Sequence, residues 1–66
     1  MKLKWSNIYD IAIELEETYP EEEILALSFT KLHQLIVSLP NFIDNPESSN
    51  EGILEAIQMA WIEERN

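Results

Sequence analysis

The sequence predicts an all-α, compact three-helix domain occupying residues 1–66 as one unit. Three observations predict it. Apolar residues recur at i, i+3, i+4 and i+7 in three separate segments. Prolines and small polar residues punctuate those segments where helices begin and end. Nothing in the chain reads as a convincing β-hairpin.

The first helix begins near Ser6 or Asn7, either of which can cap free amides. Ile8, Ile11, Ala12, Leu15 and Tyr19 fall on one stripe and are its core face. Pro20 ends it, because the residue before a proline avoids the helical region. Trp5, just ahead, is expected to pack back on the core rather than stand exposed at a binding site. The next stretch, PEEEILALSF, opens like a helical turn, with glutamates at the positive end of the dipole. ILALSF reads equally as a short helix or a short extended piece, with Leu27 and Phe29 inward.

The second helix follows Thr30, a good N-cap, and buries Leu32, Leu35, Ile36 and Leu39 before Pro40 stops it. His33 lies off that stripe and reads as a partly exposed, hydrogen-bonded residue rather than a functional one. NFIDNPESSNEG is a loop by its Asn, Asp, Pro and Ser content. Ser48 and Glu51 fit a capping box for the third helix, which runs to about Glu64. Its core face is Ile53, Leu54, Ile57, Ala60 and Trp61; Met59 and Ile62 widen the apolar surface and mark this helix as central.

Composition narrows the function. A chain of 66 residues is near the lower limit for folding without a staple. It has no cysteine, hence no disulfide, thiolate nucleophile or zinc-finger ligand set, which suits a reducing compartment. Its apolar runs are too short to span a bilayer, and no leader is expected ahead of the domain. Thirteen acids against four bases give a formal charge of −9. Such a chain is repelled by nucleic acid and by anionic membranes, and attracted to cations or to a basic protein surface. It has one glycine, Gly52, one histidine and no catalytic motif, so no enzymatic activity is expected. DNPESSNE lacks the alternating acids and central glycine of an EF-hand loop.

The carboxylates remain. From Tyr9 to Glu23 there are seven acids and no base. Asp10, Glu14 and Glu17 stand at i, i+4 and i+7, away from the apolar stripe, with Glu16 flanking them. Glu21, Glu22 and Glu23 continue the charge past Pro20. Like charges one turn apart oppose helix formation by roughly 0.2–0.5 kcal/mol per pair. A second ladder, Glu47, Glu51 and Glu55, opens the third helix, where the dipole accounts for its first members. Clustered carboxylates suit oxygen-loving cations, and equally a ring of arginines on a partner; spacing alone does not choose.

Five segments in register resemble the IscX family of bacterial iron–sulfur cluster assembly. They are LKWS at Leu3–Ser6, YP at Tyr19–Pro20, FTKLH at Phe29–His33, LPNF at Leu39–Phe42 and SNEGILEAIQMAWIEE at Ser49–Glu64. The resemblance implies a modified winged-helix topology and a cytoplasmic, monomeric, non-enzymatic adaptor. Such an adaptor binds the cysteine desulfurase at a basic surface shared with bacterial frataxin and modulates sulfur transfer. It also implies weak binding of ferrous iron and no tightly bound cofactor; an iron donor for cluster assembly is the alternative function. Carried over by position, the partner-binding candidates are Lys4, Trp5, Asp10, Glu14, Glu17, Glu21, Glu23 and Asp44, and the metal candidates Glu14, Glu17, Glu21 and Asp44. The chain departs from the family at Ile24, Ser28, Lys31 and Leu35, and Ile43 and Asn45 stand where loop aspartates are usual. The helix charge is kept and the loop charge thinned, which weights docking above iron binding.

Overall fold

The computed structural model describes residues 2–66. It contains α1 (Ile8–Thr18), a 3-10 turn (Ile24–Ala26), α2 (Phe29–Val37) and α3 (Glu51–Arg65). The Cα radius of gyration, 10.4 Å, matches the roughly 11 Å of a fully compacted chain of this length.

The three periodic segments became helices because each could bury its stripe against the other two. Ile11, Ala12 and Leu15 of α1, Leu32, Leu35 and Ile36 of α2, and Leu54, Ile57, Ala60 and Trp61 of α3 form one core. Ile8, Tyr19 and Ile53 pack at its margin. Helix α3 is central, touching α1, α2 and the 3-10 turn. Its width does not extend to Met59, which is exposed. Leu3, Trp5 and Leu39 close the core from outside the helices, so Trp5 packs back as the sequence predicts.

The caps differ from expectation at all three helix starts. Asn7 occupies the α1 cap position, yet its Oδ1 accepts the Lys4 amide at 2.9 Å and so fixes the preceding turn instead. Helix α2 starts before Thr30: Ser28, in extended backbone, accepts the Lys31 N–H on its Oγ at 3.1 Å. Helix α3 is capped by Asn50, whose Oδ1 accepts the Ile53 N–H at 2.9 Å; the amide of Ser48 is spent in a turn to the Asn45 carbonyl. In each case more than one cap-competent residue stands within three positions of the helix start, and composition does not choose among them.

The connection after Pro20 resolves as a 3-10 turn. Ile24 is its buried anchor, Leu25 stands almost fully exposed, and Leu27 and Phe29 pack on the core margin as expected. Between α2 and α3 the chain runs through residues 38–50 without regular structure. It is tied to the amino-terminal segment by an isolated parallel bridge between Leu3 and Phe42, with Leu3 N–H donating to Asn41 O (2.7 Å) and Ile43 N–H to Leu3 O (3.0 Å). That bridge is all the β-pairing among the described residues, so no hairpin wing accompanies the three helices.

Candidate functional site

Helix α1 carries its acids on two different flanks. Glu16 points into the seam with α3. Its Oε1 accepts from the indole Nε1 of Trp61 and from Nε of Arg65, both at 2.9 Å. The same guanidinium donates to the main-chain carbonyls of Tyr19 (3.1 Å) and Glu22, and its carbon lies 5.7 Å from the Trp61 ring centroid. Arg65 therefore seals the carboxyl end of α1 and holds the acidic turn in place. The sequence reading left Glu16 without a countercharge; the base arrives from 49 positions along the chain.

The outer flank is different. Asp10 and Glu14 are half-buried, and Glu17, Glu21 and Glu23 are exposed. Glu14 accepts a hydrogen bond from Asn41 Nδ2 at 3.2 Å, which joins α1 to the long loop. Among the described residues the Arg65–Glu16 pair is the one salt bridge. Asp10, Glu14 and Glu17 thus have no basic side chain within bonding distance. Their alignment is as the i, i+4, i+7 spacing predicts.

The loop end of the site is built on Trp5. Its backbone N–H donates to Asp44 Oδ2 (3.1 Å) and its indole Nε1 to the Asn45 carbonyl (2.7 Å). The ring stacks on His33 at 5.6 Å and meets the edge of Phe42 at 4.8 Å. His33 is half-buried, with Nε2 2.6 Å from the Pro46 carbonyl. A carbonyl only accepts, so that nitrogen carries the proton. Trp5 is 3% exposed, which leaves no ring face for a partner; what it does is place Asp44 and Asn45. Lys4 is exposed. Asp44 accepts from the amides of Trp5 and Asn45, and these bonds, helped by the charge of Lys4 and opposed by partial burial, hold its carboxyl below the usual carboxylate range.

The four metal candidates do not converge. Among the described residues no three His, Asp or Glu side chains gather closely enough to share an ion. Glu14 is engaged by Asn41, and both Asp44 oxygens accept main-chain amides. A cation held by oxygen takes several ligands at once, and the four candidates do not form a preformed set among the described residues.

Sequence reasoning missed the Glu16–Trp61–Arg65 cluster and the Asn41–Glu14 link. The only signal for the first was phase: Glu16 sits nearer the apolar stripe than Asp10, Glu14 or Glu17 do. The second had no local signal.

The chain matches a family model described as iron-sulphur cluster assembly over residues 3–66. It is also 48% identical over 66 residues to an uncharacterized protein of Pseudomonas aeruginosa, the alignment covering the whole of both chains. With nearly every residue inside the family match, the chain belongs to the IscX family of iron–sulfur cluster assembly proteins.

Proposed function

We propose that the protein is an acidic adaptor that docks on the cysteine desulfurase of cluster assembly and modulates sulfur transfer from there. The observation that carries the reading is the outer flank of α1. Asp10, Glu14 and Glu17 repel one another, and among the described residues no basic side chain stands within bonding distance to offset them. A basic surface on a partner supplies the missing countercharge, and Glu21 and Glu23 extend the same field past Pro20. Asp44, held by the Trp5 scaffold, marks the loop end of the face. Bacterial frataxin, an acidic competitor for the same basic surface, belongs to this reading.

The chain has no cysteine, so it has no thiolate to accept sulfur. Its effect on transfer would come from occupying and shaping the desulfurase surface. The reading is of a cytoplasmic monomer; among the described residues no helix is long and apolar enough to cross a membrane. The iron-donor alternative has weaker support, because the candidate ligands do not form a set.

The test is Glu14→Lys together with Glu17→Lys. Affinity for the desulfurase is expected to fall by roughly a hundredfold, since like charges then face the partner's basic groups. Association of the parent is expected to slow steeply as salt rises. A double variant that binds as tightly as the parent would make the ladder ordinary solvated surface and end this reading.

A further inference from the structure

Among the described residues five large apolar side chains are exposed: Tyr9, Ile13, Leu25, Ile43 and Met59. Scattered singly, such residues need no explanation. Three of these are not scattered. Tyr9 and Ile13 stand four positions apart on α1, where side chains are neighbours on one face. Tyr9 and Met59 line one open groove of about 270 Å³ between α1 and α3. Ala56 and Ala60 contribute only methyl groups to it, so the space between the helices is left unfilled, and the exposed Glu63 stands at its edge. Tyr9 is 74% exposed and Met59 56%, so the core does not need either of them.

We propose that this α1–α3 groove is the apolar anchor point of the docking interface, and that it receives a protruding apolar side chain, bordered by lysines or arginines, from the same basic protein partner. The proposal rests on reading the outer flank of α1 as a docking face. Charge complementarity selects the occupant. Asp10 is the chain neighbour of Tyr9, Glu17 lies one turn beyond Ile13, and Glu63 edges the groove. A second copy of a chain carrying −9 would bring like charges together, and an anionic membrane is repelled. Tyrosine and methionine are enriched at the centres of protein interfaces, and methionine adapts to the shape it meets. The two edges of α1 then divide the work. The acids steer the encounter, and the groove sets how long the complex lasts.

The experiment follows association and dissociation on the isolated desulfurase at low and physiological salt. Tyr9→Ser with Met59→Gln is expected to speed dissociation on the order of tenfold, with association and its salt dependence near those of the parent. Met59→Lys, which places a cation where the partner is basic, should dissociate at least as fast and gives an independent variant at an already exposed position. Glu14→Lys with Glu17→Lys should act mainly on association. Groove variants that dissociate at the parental rate, while the acid variants lose binding, would overturn the anchor and leave the docking reading standing. Acid variants that bind normally would overturn the docking reading itself, and the anchor with it. A dimer in sedimentation that Met59→Gln disperses would assign the groove to a second copy and also overturn the proposal.

Discussion

Glu16 and Glu17 are neighbours in the chain and about 100° apart around α1, and that rotation separates two regions with different physics. On the inner seam, Glu16 is 25% exposed, takes two donors from α3, and belongs to the scaffold. On the outer flank, Glu17 is exposed, with Asp10 and Glu14 beside it and, among the described residues, no basic side chain within bonding distance. Acid-richness is therefore not one property here. The same side chain is tied into the scaffold or left without a base according to helical phase, and on the docking reading substitutions at the two sites should separate folding from binding.

The largest expected effect breaks the seam outright. Trp61 is fully buried, and Trp61→Ala removes its ring from the core and the donor from Glu16, at a cost of about 3–5 kcal/mol. In so small a domain that is enough to populate the unfolded state, so chemical denaturation should show a midpoint shifted far down or no folded baseline. A loss below about 1 kcal/mol would mean that α3 is not the central helix.

Next comes Glu16→Lys. It puts a second cation beside Arg65 and leaves the buried Trp61 N–H without its acceptor, for about 1–3 kcal/mol of lost stability. Glu16→Gln sharpens the point, because it keeps an oxygen for Trp61 and loses only the charge. The salt bridge is partly exposed, with Arg65 at 30%, so the Gln variant should lose no more than about 1 kcal/mol. Equal losses in the two variants would show that charge, not the indole hydrogen bond, holds the seam.

The outer flank should behave in the opposite way. Glu14→Lys with Glu17→Lys is expected to change stability by no more than about 1 kcal/mol in either direction. Relief of repulsion along the ladder works against the loss of the long Asn41–Glu14 hydrogen bond. The desulfurase binding of this variant should nevertheless collapse. Urea melts of Glu16→Lys and the ladder variant side by side, with binding measured on both, test the division directly.

Much of the fold was legible because periodicity is a local signal. The stripes Ile11–Leu15, Leu32–Leu39 and Leu54–Trp61 each announce a helix, and Pro20 closes the first of them near its observed end. The caps were less legible, because Ser48, Ser49 and Asn50 can all cap and only the packed structure selects Asn50. The alignment of Asp10, Glu14 and Glu17 was readable from spacing alone, because helical phase is local, but the bond from Asn41 to Glu14 was not. The seam was not readable, because Arg65 is 49 positions from Glu16. The interior position of Trp5 was readable as packing, but not its hold on Asp44 and Asn45 across the long loop. Nor did spacing show that the candidate metal ligands fail to converge.

Asp44 gives the comparison a third kind of carboxylate, held in its ionised form chiefly by main-chain amides, with help from the charge of Lys4. The bonds from the Trp5 and Asn45 N–H groups favour its ionised form and lower its pKa in the folded state. In the unfolded chain those bonds are gone, and the carboxyl returns to its ordinary value of about 3.9. A depressed folded value means that ionised Asp44 contributes stability above the unfolded value, and that this contribution is lost as pH falls through the folded one. Asp44→Asn cannot accept on both sides, so it should be less stable than the parent near neutrality. The difference should shrink as the parent's own carboxyl is protonated in acid. Because this group is open to solvent the effect is the smallest of the set, and it is best read as a difference between two urea midpoints at each pH. Acid changes the net charge of both proteins almost alike, so the subtraction isolates the loop. A difference that stays constant down to strongly acid pH, or that grows, would show that Asp44 does not tie the loop to Trp5 through its charge.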